Sequence, residues 1–318
     1  MKAITLKENG SVENFKLSEV DIPKIKDDEV LVKVKAISIN PVDAFVRKNE
    51  SSLRGILRPG KDEDTFILGW DISGIVEKIG SNVKDFKEND EVFGMINFPG
   101  SGKAYAEYIA APANQLAIIP ANISFEEAAA ATLTALTAWQ ALATYAKIKK
   151  GDKVLIHAAS GGVGHYAVQL AKSFGAYVIG TASSPNRDFV LDLGADEFID
   201  YTSEKFEDKI NNADIVLDSI PGTEHLLRSI DAAKNGGRVV SIKSSFEGEI
   251  AEKAESKNLH TYRILVNSNG NDMKKIADLL KEGKIHSHIS KKYEFEDIPK
   301  AHRQIETGKT VGKIVVVI

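Results

Sequence analysis

The sequence predicts an α/β protein that combines a doubly wound parallel sheet with a β-rich region. Up to about residue 120, apolar and polar residues mostly alternate in short runs such as EVLVKVKAISI, the period of two expected for half-buried strands. From about residue 124 to residue 266, strand-like apolar runs alternate with helical patterns, and this rhythm indicates a parallel sheet. The last run, GKIVVVI, indicates a strand that we expect to return to the N-terminal region.

The central region is expected to contain six strands and four helices. The strands are KVLIHA, YVIGTA, EFIDY, DIVLDSI, GRVVSI and TYRILV. The helices are GHYAVQLAKSF, SPNRDFVLDLG, EKFEDKINN and TEHLLRSIDAAK, and one more, NDMKKIADLLKEG, follows in the C-terminal part. We therefore predict two domains, a β-rich one formed by residues 1–122 and 267–318 and a doubly wound one formed by residues 123–266.

Composition narrows the class of protein. The 318 residues are 43% hydrophobic and 27% charged, with a formal net charge of -4, which is typical of a globular protein. No basic run dominates a segment, which argues against nucleic acid or an anionic membrane as a partner. Cysteine is absent, so disulfides and thiolate zinc sites are excluded. The N-terminus lacks the apolar core of a signal peptide and residues 128–146 are too weakly hydrophobic to span a membrane, so we expect a cytoplasmic protein.

A glycine-rich turn stands between the first strand and the first helix of the central region. In KVLIHAASGGVGHYAVQLAK, the residues Ala159, Gly161 and Gly164 take the three small-residue positions of a dinucleotide-binding fingerprint, with alanine in place of the first glycine. Small residues allow the tight turn and the approach of backbone to a pyrophosphate, and the helix N-terminus attracts phosphate. Because strand, turn and helix agree, a dinucleotide site is favoured over a turn without a ligand.

The position that distinguishes NADH from NADPH carries no acid. The second strand ends in GTASSPNR, where an NAD-binding domain has Asp or Glu for the ribose 2′-hydroxyl. Ser184 is expected to cap the next helix, with Pro185 at its first position and Arg187 in its first turn. Hydroxyls and a guanidinium favour a 2′-phosphate, whereas a carboxylate repels it. NADPH is therefore the predicted dinucleotide and NADH the alternative.

Several segments distributed along the chain carry a family resemblance. They are SINPVDAFVR (38–47), ILGWDISGIVEKIGSNVKDFKENDEVFG (67–94), AYAEYIAAP (104–112), LTALTAWQAL (133–142), HAASGGVGHYAVQLAK (157–172), LGADEFIDY (193–201) and GKTVGKIVV (308–316). Through them nearly the whole chain resembles the zinc-free, zeta-crystallin-like quinone oxidoreductases of the medium-chain dehydrogenase/reductase superfamily, a group that includes plant alkenal and enone reductases. The resemblance implies a GroES-like catalytic domain beside a Rossmann domain, an active site between them and, commonly, a homodimer.

The resemblance also implies roles for individual residues. On the pyrophosphate it places Ser160, Gly161, Gly162 and Val163. Around the adenosine phosphate it places Ser183, Ser184, Arg187 and Tyr201. Thr137 is implied near the nicotinamide or its ribose, and Lys313 at the nicotinamide end. Asn40 and Asp43 are similar to the polar pair of the family's substrate cleft and are the candidate catalytic residues. The chain departs from many relatives at Phe45, where they carry tyrosine, and in residues 48–66, which are expected to shape the substrate pocket.

Differences from the zinc alcohol dehydrogenases narrow the expected chemistry. Those enzymes carry cysteine in the loop that matches INPVD and a His-Glu pair where this chain has Trp70 and Asp71, so no metal is expected. Alcohol oxidation needs the metal to stabilise alkoxide. The resemblance therefore implies NADPH-dependent reduction of quinones or other α,β-unsaturated carbonyls by direct hydride transfer. The alternative is a non-catalytic NADPH-binding protein, crystallin-like or regulatory, because a fold does not fix a function.

Overall fold

The computed structural model describes residues 1–60 and 64–318, which form two compact units. The first unit consists of Met1–Leu136, Val266–Gly283 and Ser287–Ile318, and the second of Thr137–Leu265 and Lys284–His286. The predicted domain boundaries, between residues 122 and 123 and between residues 266 and 267, stay predictions.

Strands and helices follow one another along most of the described chain. The strands are β1 (Lys2–Leu6), β2 (Phe15–Glu19), β3 (Glu29–Ile39), β4 (Phe66–Ile67), β5 (Asp71–Ile79), β6 (Glu91–Met95), β7 (Tyr108–Pro112), β8 (Leu116–Ile118), β9 (Lys153–Ile156), β10 (Tyr177–Ala182), β11 (Glu197–Asp200), β12 (Ala213–Asp218), β13 (Ala233–Ser241), β14 (His260–Arg263), β15 (Ile289–Glu294) and β16 (Lys313–Val317). The α-helices are α1 (Pro41–Lys48), α2 (Glu50–Ser52), α3 (Phe125–Ala130), α4 (Leu133–Trp139), α5 (Gly162–Ser173), α6 (Arg187–Asp192), α7 (Phe206–Lys209), α8 (Thr223–Ala232), α9 (Glu249–Ser256), α10 (Gly270–Lys281) and α11 (Ile298–Glu306). Two π-helical segments, Leu53–Leu57 and Gln140–Tyr145, continue α2 and α4.

The first unit is built on β-sheets. Its larger sheet has the order β15-β16-β3-β5-β6-β8, with β7 also paired to β3, and a small sheet has the order β2-β1-β4. β16 pairs antiparallel with β3, which confirms that GKIVVVI returns to the N-terminal region. The alternation expected in β3 survives only at Lys33 and Lys35, and the remaining residues are buried. The strand is central because β16, β5 and β7 pair with it, and α3 packs against its residue Ala36.

The second unit is a six-stranded parallel sheet with helices. The order of the strands in the sheet is β11-β10-β9-β12-β13-β14. If the strands of this unit are counted from its first strand, β9, the order is 3-2-1-4-5-6. This is the doubly wound order, and it confirms the predicted fold class. The six strands expected from the sequence all form. Leu155, Ile179 and Val216 belong to one buried cluster, and their neighbours on the opposite face, such as Val154 and Leu217, are buried as well. Both faces of these strands are therefore covered, which explains why the strands are apolar without alternation.

Among the elements that escaped sequence analysis, α9, β15 and α11 did so because their patterns are mostly polar. α9 buries only Ile250 and Ala254, and β15 is partly or fully exposed along its whole length. α11 buries Ile298, Ala301 and His302, of which only the first is a strong apolar signal. The segment EKFEDKINN contributes only the short α7. None of the helices formed by the described residues is both long and apolar enough to cross a membrane.

Candidate functional site

The glycine-rich turn joins β9 to α5 as predicted. Ala158 adopts a positive φ of 49° at the start of the turn, and the Gly161 N–H donates to the Ala158 carbonyl at 2.9 Å. The four residues expected on the pyrophosphate, Ser160, Gly161, Gly162 and Val163, are all partly exposed. They lie at the N-terminus of a twelve-residue helix, where the first backbone N–H groups have no partner within the helix. The turn therefore presents donors and a partial positive charge to solvent, as phosphate binding requires.

Close packing explains two small residues beside the turn. A Cβ on Gly164 would lie 2.1 Å from the Ala158 carbonyl oxygen and 2.7 Å from the Ala159 Cα, both of which are backbone atoms. A Cβ on Gly180 would lie 2.6 Å from Val190 and 2.9 Å from the Ala159 Cβ. Alanine in place of the first glycine of the fingerprint is therefore accommodated because Gly180 faces it across the neighbouring strand.

The residues expected around the adenosine phosphate lie at the carboxyl ends of β10 and β11. Ser183 is partly exposed, Ser184 and Arg187 are exposed, and Tyr201 is 59% exposed. The Tyr201 N–H donates to the Ala182 carbonyl at 3.3 Å, which joins the two strand ends. The structure thus brings these four residues to one open edge of the sheet, where doubly wound folds bind their ligands.

In this region a 3₁₀ turn begins one residue before the predicted helix start, and the α-helix begins two residues after it. Ser183, not Ser184, occupies the N-cap position, and Ser184–Asn186 form a short 3₁₀ turn before α6 begins at Arg187. Ser183 makes no side-chain cap and instead accepts a hydrogen bond from the Asn186 side chain at 3.1 Å. The shift leaves the Ser184 hydroxyl near Asp200 rather than on the helix.

Asp200 is a residue of this edge that sequence analysis missed. It pairs with Ala182 in the parallel register of β10 and β11, and its carboxylate accepts the Thr202 N–H at 3.0 Å and hydroxyl at 2.7 Å. These bonds, with a further one from Ser184, lower the pKa of Asp200, so it is charged at neutral pH. The sequence analysis considered only the end of the second strand, β10. The third strand, β11, ends beside β10 and supplies an acid there, Asp200.

A buried polar cluster forms where β3, α1, β5 and β16 meet in the first unit. The Asn40 side chain donates to Asp71 at 2.8 Å and accepts a hydrogen bond from Lys313, and the Asn40 N–H donates to Asp43 at 2.7 Å. The Leu133 N–H donates to the other oxygen of Asp71 at 3.1 Å. Lys313 is 2% exposed and the other three members of the cluster are closed to solvent. We call Asn40, Asp43, Asp71 and Lys313 the polar cluster.

Burial dominates the electrostatics of the polar cluster. It raises the pKa of Asp43 to about 7, with a contribution from the charge of Asp71, while the Asn40 N–H, Tyr105 and Lys313 oppose the rise. Burial also raises the pKa of Asp71 and lowers that of Lys313, and the attraction between their charges counteracts both shifts. The cluster therefore holds one lysine amine and two carboxyls, and the carboxyl of Asp43 titrates near neutral pH.

The remaining predicted residues lie in different settings. Thr137 is buried in α4 and belongs to the second unit. Phe45, the departure from tyrosine, is 53% exposed on α1. In the segment 48–66, Arg58 lines a cavity of about 550 Å³ with Asn97, Gln115 and Ser268. Residues 61–63 of that segment lie outside the described residues, and its role in substrate binding stays a prediction.

His157 follows β9 directly, beside the glycine-rich turn, and is 1% exposed. Its Nδ1 lies 3.1 Å from the Thr181 hydroxyl and its Nε2 3.1 Å from the Ser229 hydroxyl, so both ring nitrogens have partners without a charge. Burial lowers the pKa of His157 from 6.5 to about 3. The imidazole is thus neutral in the folded protein, which suits a packing residue and not an acid at neutral pH.

Because His157 is buried as a neutral ring, we expect the protein to lose stability in acid. The unfolded chain binds a proton at His157 below pH 6.5 and the folded protein does not, so the free energy of unfolding should fall as pH decreases from 6.5 toward 3. Between pH 7 and pH 5 this residue should contribute ~2 kcal/mol to the decrease. Urea unfolding of the wild type and of His157→Gln at both pH values measures it. An equal pH dependence in the two proteins would contradict the assignment.

Comparison with known proteins gives matches over the whole chain. The model of the alcohol dehydrogenase GroES-like domain matches residues 26–121, and that of the zinc-binding dehydrogenases matches residues 193–316. A 2-methylene-furan-3-one reductase of Solanum lycopersicum is 36% identical over 99% of this chain and 79% of its own. The NADPH-dependent alkenal/one oxidoreductase, chloroplastic, of Arabidopsis thaliana is 34% identical over the same shares.

A solved structure agrees with these relatives. The quinone oxidoreductase from Coxiella burnetii matches with a TM-score of 0.91 and 35% identity, over 100% of this chain and 99% of that one. A GroES-like region and a doubly wound sheet with a glycine-rich turn define the oxidoreductases of the medium-chain dehydrogenase/reductase class. Within this class, the chain belongs to the quinone oxidoreductase family, which includes alkenal/one reductases. The predicted family and fold are confirmed.

A zinc ion, which the second family model names, does not fit these residues. The chain has no cysteine, and across residues 1–60 and 64–318 no group of three or more His, Cys, Asp or Glu side chains is placed to hold a metal. Here the Asn40 side chain accepts a hydrogen bond from Lys313, and the charge of Asp71 acts on the same buried amine. A lysine side chain therefore lies among these residues.

Proposed function

We propose that the protein reduces quinones or other α,β-unsaturated carbonyls with NADPH, by direct hydride transfer and without zinc. The observation that carries the proposal is that the buried Lys313 amine donates to Asn40 and feels the charges of Asp43 and Asp71, because alcohol oxidation requires a metal and this position has a lysine instead. Conjugated acceptors delocalise the charge that a hydride brings and need only a proton in addition. The names of the relatives above, which reduce enones and quinones, support the same substrate class.

The second unit has the residues that would hold the dinucleotide. We propose that Ser160, Gly161, Gly162 and Val163 lie on the pyrophosphate, at the positive end of α5. Gly162 and Val163 of the first turn would donate backbone N–H groups, while the Gly161 N–H stays bonded to the Ala158 carbonyl. Ser183, Ser184, Arg187 and Tyr201 would surround the 2′-phosphate, and Thr137 would lie toward the nicotinamide ribose. The bound nicotinamide supplies the hydride, and the protein supplies position and exclusion of water.

The polar cluster belongs to the acceptor side of this proposal. Asn40 and Asp43 are closed to solvent, so we propose that they act by positioning Lys313 and by holding a proton behind the reacting groups. Lys313 would approach the nicotinamide end, as the resemblance implies. A carboxyl with a pKa of about 7 can take up or release a proton at working pH, which a reduction that consumes one proton requires.

We also propose that the protein is cytoplasmic and that it forms a homodimer.

The experiment that tests the proposal is NADPH oxidation followed at 340 nm against a panel of acceptors. The panel contains 9,10-phenanthrenequinone, 1,4-benzoquinone, an alkenal and an enone, and a plain alcohol is tested with NADP⁺ in the reverse direction. Turnover of a quinone or enone without turnover of the alcohol is the expected result. NADPH binding without turnover of any acceptor would instead favour the non-catalytic alternative.

Asp200 should moderate the preference for NADPH over NADH. Its carboxylate stands beside Ser184 at the proposed 2′-phosphate site, where like charges repel. Asp200→Asn keeps an oxygen for the Thr202 hydrogen bonds and removes the charge. We expect the affinity for NADPH relative to NADH to rise about tenfold, or ~1.4 kcal/mol. Isothermal titration calorimetry with both dinucleotides measures the ratio without an acceptor.

A matched control separates this local effect from net charge. Asp208→Asn removes the same charge from an exposed position of α7 in the same unit and should leave the ratio unchanged. A ratio in Asp200→Asn that equals the wild-type ratio would show that the 2′-phosphate does not bind beside this carboxylate.

A further inference from the structure

A line of buried polar side chains leads away from Asp43 within the first unit. The Arg47 Nε–H donates to Nδ1 of His302 at 3.3 Å, and Nε2 of the same ring lies 2.9 Å from the Tyr105 hydroxyl. Arg47, Tyr105 and His302 are all buried, although they come from α1, from the segment before β7 and from α11. The sequence separates them by as many as 255 positions. The proposed function assigns no role to these three side chains.

The chemistry of the guanidinium fixes the direction of these bonds. Arginine has only donors, so Nδ1 of His302 must accept with its lone pair. Burial, assisted by the charges of Arg47 and Lys48, lowers the pKa of His302 to about 3, so the ring carries a single proton. That proton lies on Nε2 and is donated to the Tyr105 oxygen. The Tyr105 hydroxyl proton is therefore left to be donated in another direction.

The group that this hydroxyl faces is the Asp43 carboxyl. One carboxyl oxygen, Oδ2, accepts the Asn40 N–H at 2.7 Å. The other, Oδ1, is buried and has no partner at full hydrogen-bond geometry among the residues that the structure describes. Tyr105 lies close enough to stabilise the charged carboxylate and thereby to lower the pKa of Asp43. The hydroxyl proton and the open oxygen are complementary.

The charged groups around Asp43 come from several elements. Asp71 of β5 opposes its ionisation, and Lys313 of β16 favours it. Arg47, on the same helix as Asp43, acts on Tyr105. Arg47 is itself paired with Glu306 of α11, which also binds Lys48 at 2.8 Å. His302 adds no charge because it is neutral. Tyr105 is thus an uncharged side-chain donor that, together with the Asn40 N–H, favours the ionised form of Asp43.

We propose that Tyr105 is a positioning residue whose hydroxyl, oriented by His302, donates to Asp43 and so determines the pH at which the polar cluster takes up a proton. Its effect on turnover rests on the proposed function. Its effect on the titration of Asp43 does not, because that titration belongs to the protein without nucleotide or acceptor. The inference about the titration of Asp43 and the proposed function can therefore fail separately.

The direct test follows the Asp43 carboxyl by nuclear magnetic resonance in protein labelled with ¹³C-aspartate, without nucleotide. Asp43→Asn identifies the resonance. In Tyr105→Phe, the titration midpoint should rise from about 7 by about one pH unit, a tenfold gain in proton affinity, because the donor to the carboxylate is gone. An unchanged midpoint would overturn the proposal.

A pair of His302 variants tests the orientation of the hydroxyl. His302→Gln keeps an amide N–H near the position of Nε2 and should keep the wild-type midpoint. His302→Leu removes that donor, so the midpoint should move in the same direction as in Tyr105→Phe. Equal midpoints in both variants would contradict the role of His302, and this pair decides the question if Tyr105→Phe does not fold.

Phe15→Leu is the matched control for packing. The Phe15 ring lies 4.9 Å from that of His302 and 6.3 Å from that of Tyr105, but it has no polar group in the line. This variant should lower the melting temperature and leave the midpoint unchanged. A midpoint that moves equally in Phe15→Leu would show that loosened packing, and not the hydroxyl, causes the shift.

Kinetics connect the titration to turnover. With an accepted quinone or enone, the pH profile of kcat/KM should move upward in Tyr105→Phe by the same amount as the resonance. A moved resonance with an unmoved profile would overturn the catalytic part of the inference. A moved resonance in a protein that reduces no acceptor would support the positioning of Asp43 and contradict the proposed function alone.

Discussion

Replacing Gly161 with aspartate should abolish NADPH binding. Gly161 is the N-cap of α5 with a φ of -82°, which any residue can adopt, so a carboxylate would stand at the helix end that we assign to the pyrophosphate. Repulsion between the two anions and loss of space should weaken NADPH at least 100-fold, or ~2.7 kcal/mol. Calorimetric titration with NADPH measures the loss.

The same substitution should not harm the fold. Aspartate is among the preferred N-cap residues, and at this position it can accept the free N–H groups of the first turn. Gly161→Ala is the control, because its Cβ would lie 3.2 Å from the Ala158 carbonyl oxygen and 4.0 Å from the Ala158 Cβ, and it adds no charge. It should keep most of the affinity. Unchanged NADPH affinity in Gly161→Asp would remove the turn from the cofactor site.

Replacing Lys313 with methionine should strongly destabilise the protein. The substitution keeps much of the side chain's volume but leaves Asp43 and Asp71 buried without their cation. Removing the lysine whose charge offsets these buried carboxylates leaves their charge uncompensated, which costs ~3–5 kcal/mol. The cost should be greater at pH 8 than at pH 5, because Asp43 has a pKa of about 7 and is protonated at the lower value. Urea unfolding at both pH values measures it.

Two further variants isolate the cause. Lys309→Met makes the same change at an exposed position four residues earlier and should change stability little. Adding Asp71→Asn to Lys313→Met should restore part of the lost stability, since the double variant no longer buries that charge. Equal destabilisation by the single and the double variant would show that the loss reflects packing rather than charge.

The sequence was sufficient for the fold and for the glycine-rich turn because their signals are local. The apolar runs of β9 to β14 and the small residues from Ala158 to Gly164 indicate strand, turn and helix without knowledge of distant partners. The residues of the proposed phosphate edge follow from the same logic, since Ser183, Ser184 and Tyr201 come within two residues of a strand end and Arg187 begins the next helix. Asp200 was missed because its relevance depends on the pairing of β11 with β10.

The polar cluster could not be assembled from the sequence for a related reason. Asn40, Asp71 and Lys313 are separated by many residues and meet only through the pairing of β3 with β5 and β16. A weak signal was present, since Asp71 and Lys313 each stand at the edge of a strongly apolar run, where a charge without a partner is costly. Tyr105 and His302 carry no such signal, because aromatic residues and neutral histidines are common in cores.

The place of β16 in the sheet has a consequence for biosynthesis. The strand lies between β15 and β3, and its pairing joins Ile314 to Ile39, two residues that the entire second unit separates in the sequence. A ribosome therefore completes β9 to β14 before β16, one of the three partners of β3, exists, so the parallel sheet can fold while the first unit is still open. During that interval the edge of β3 at residues 36–39 lacks its partner strand, and Asp71 has no lysine beside it. We expect the nascent chain to need protection there until Lys313 leaves the exit tunnel.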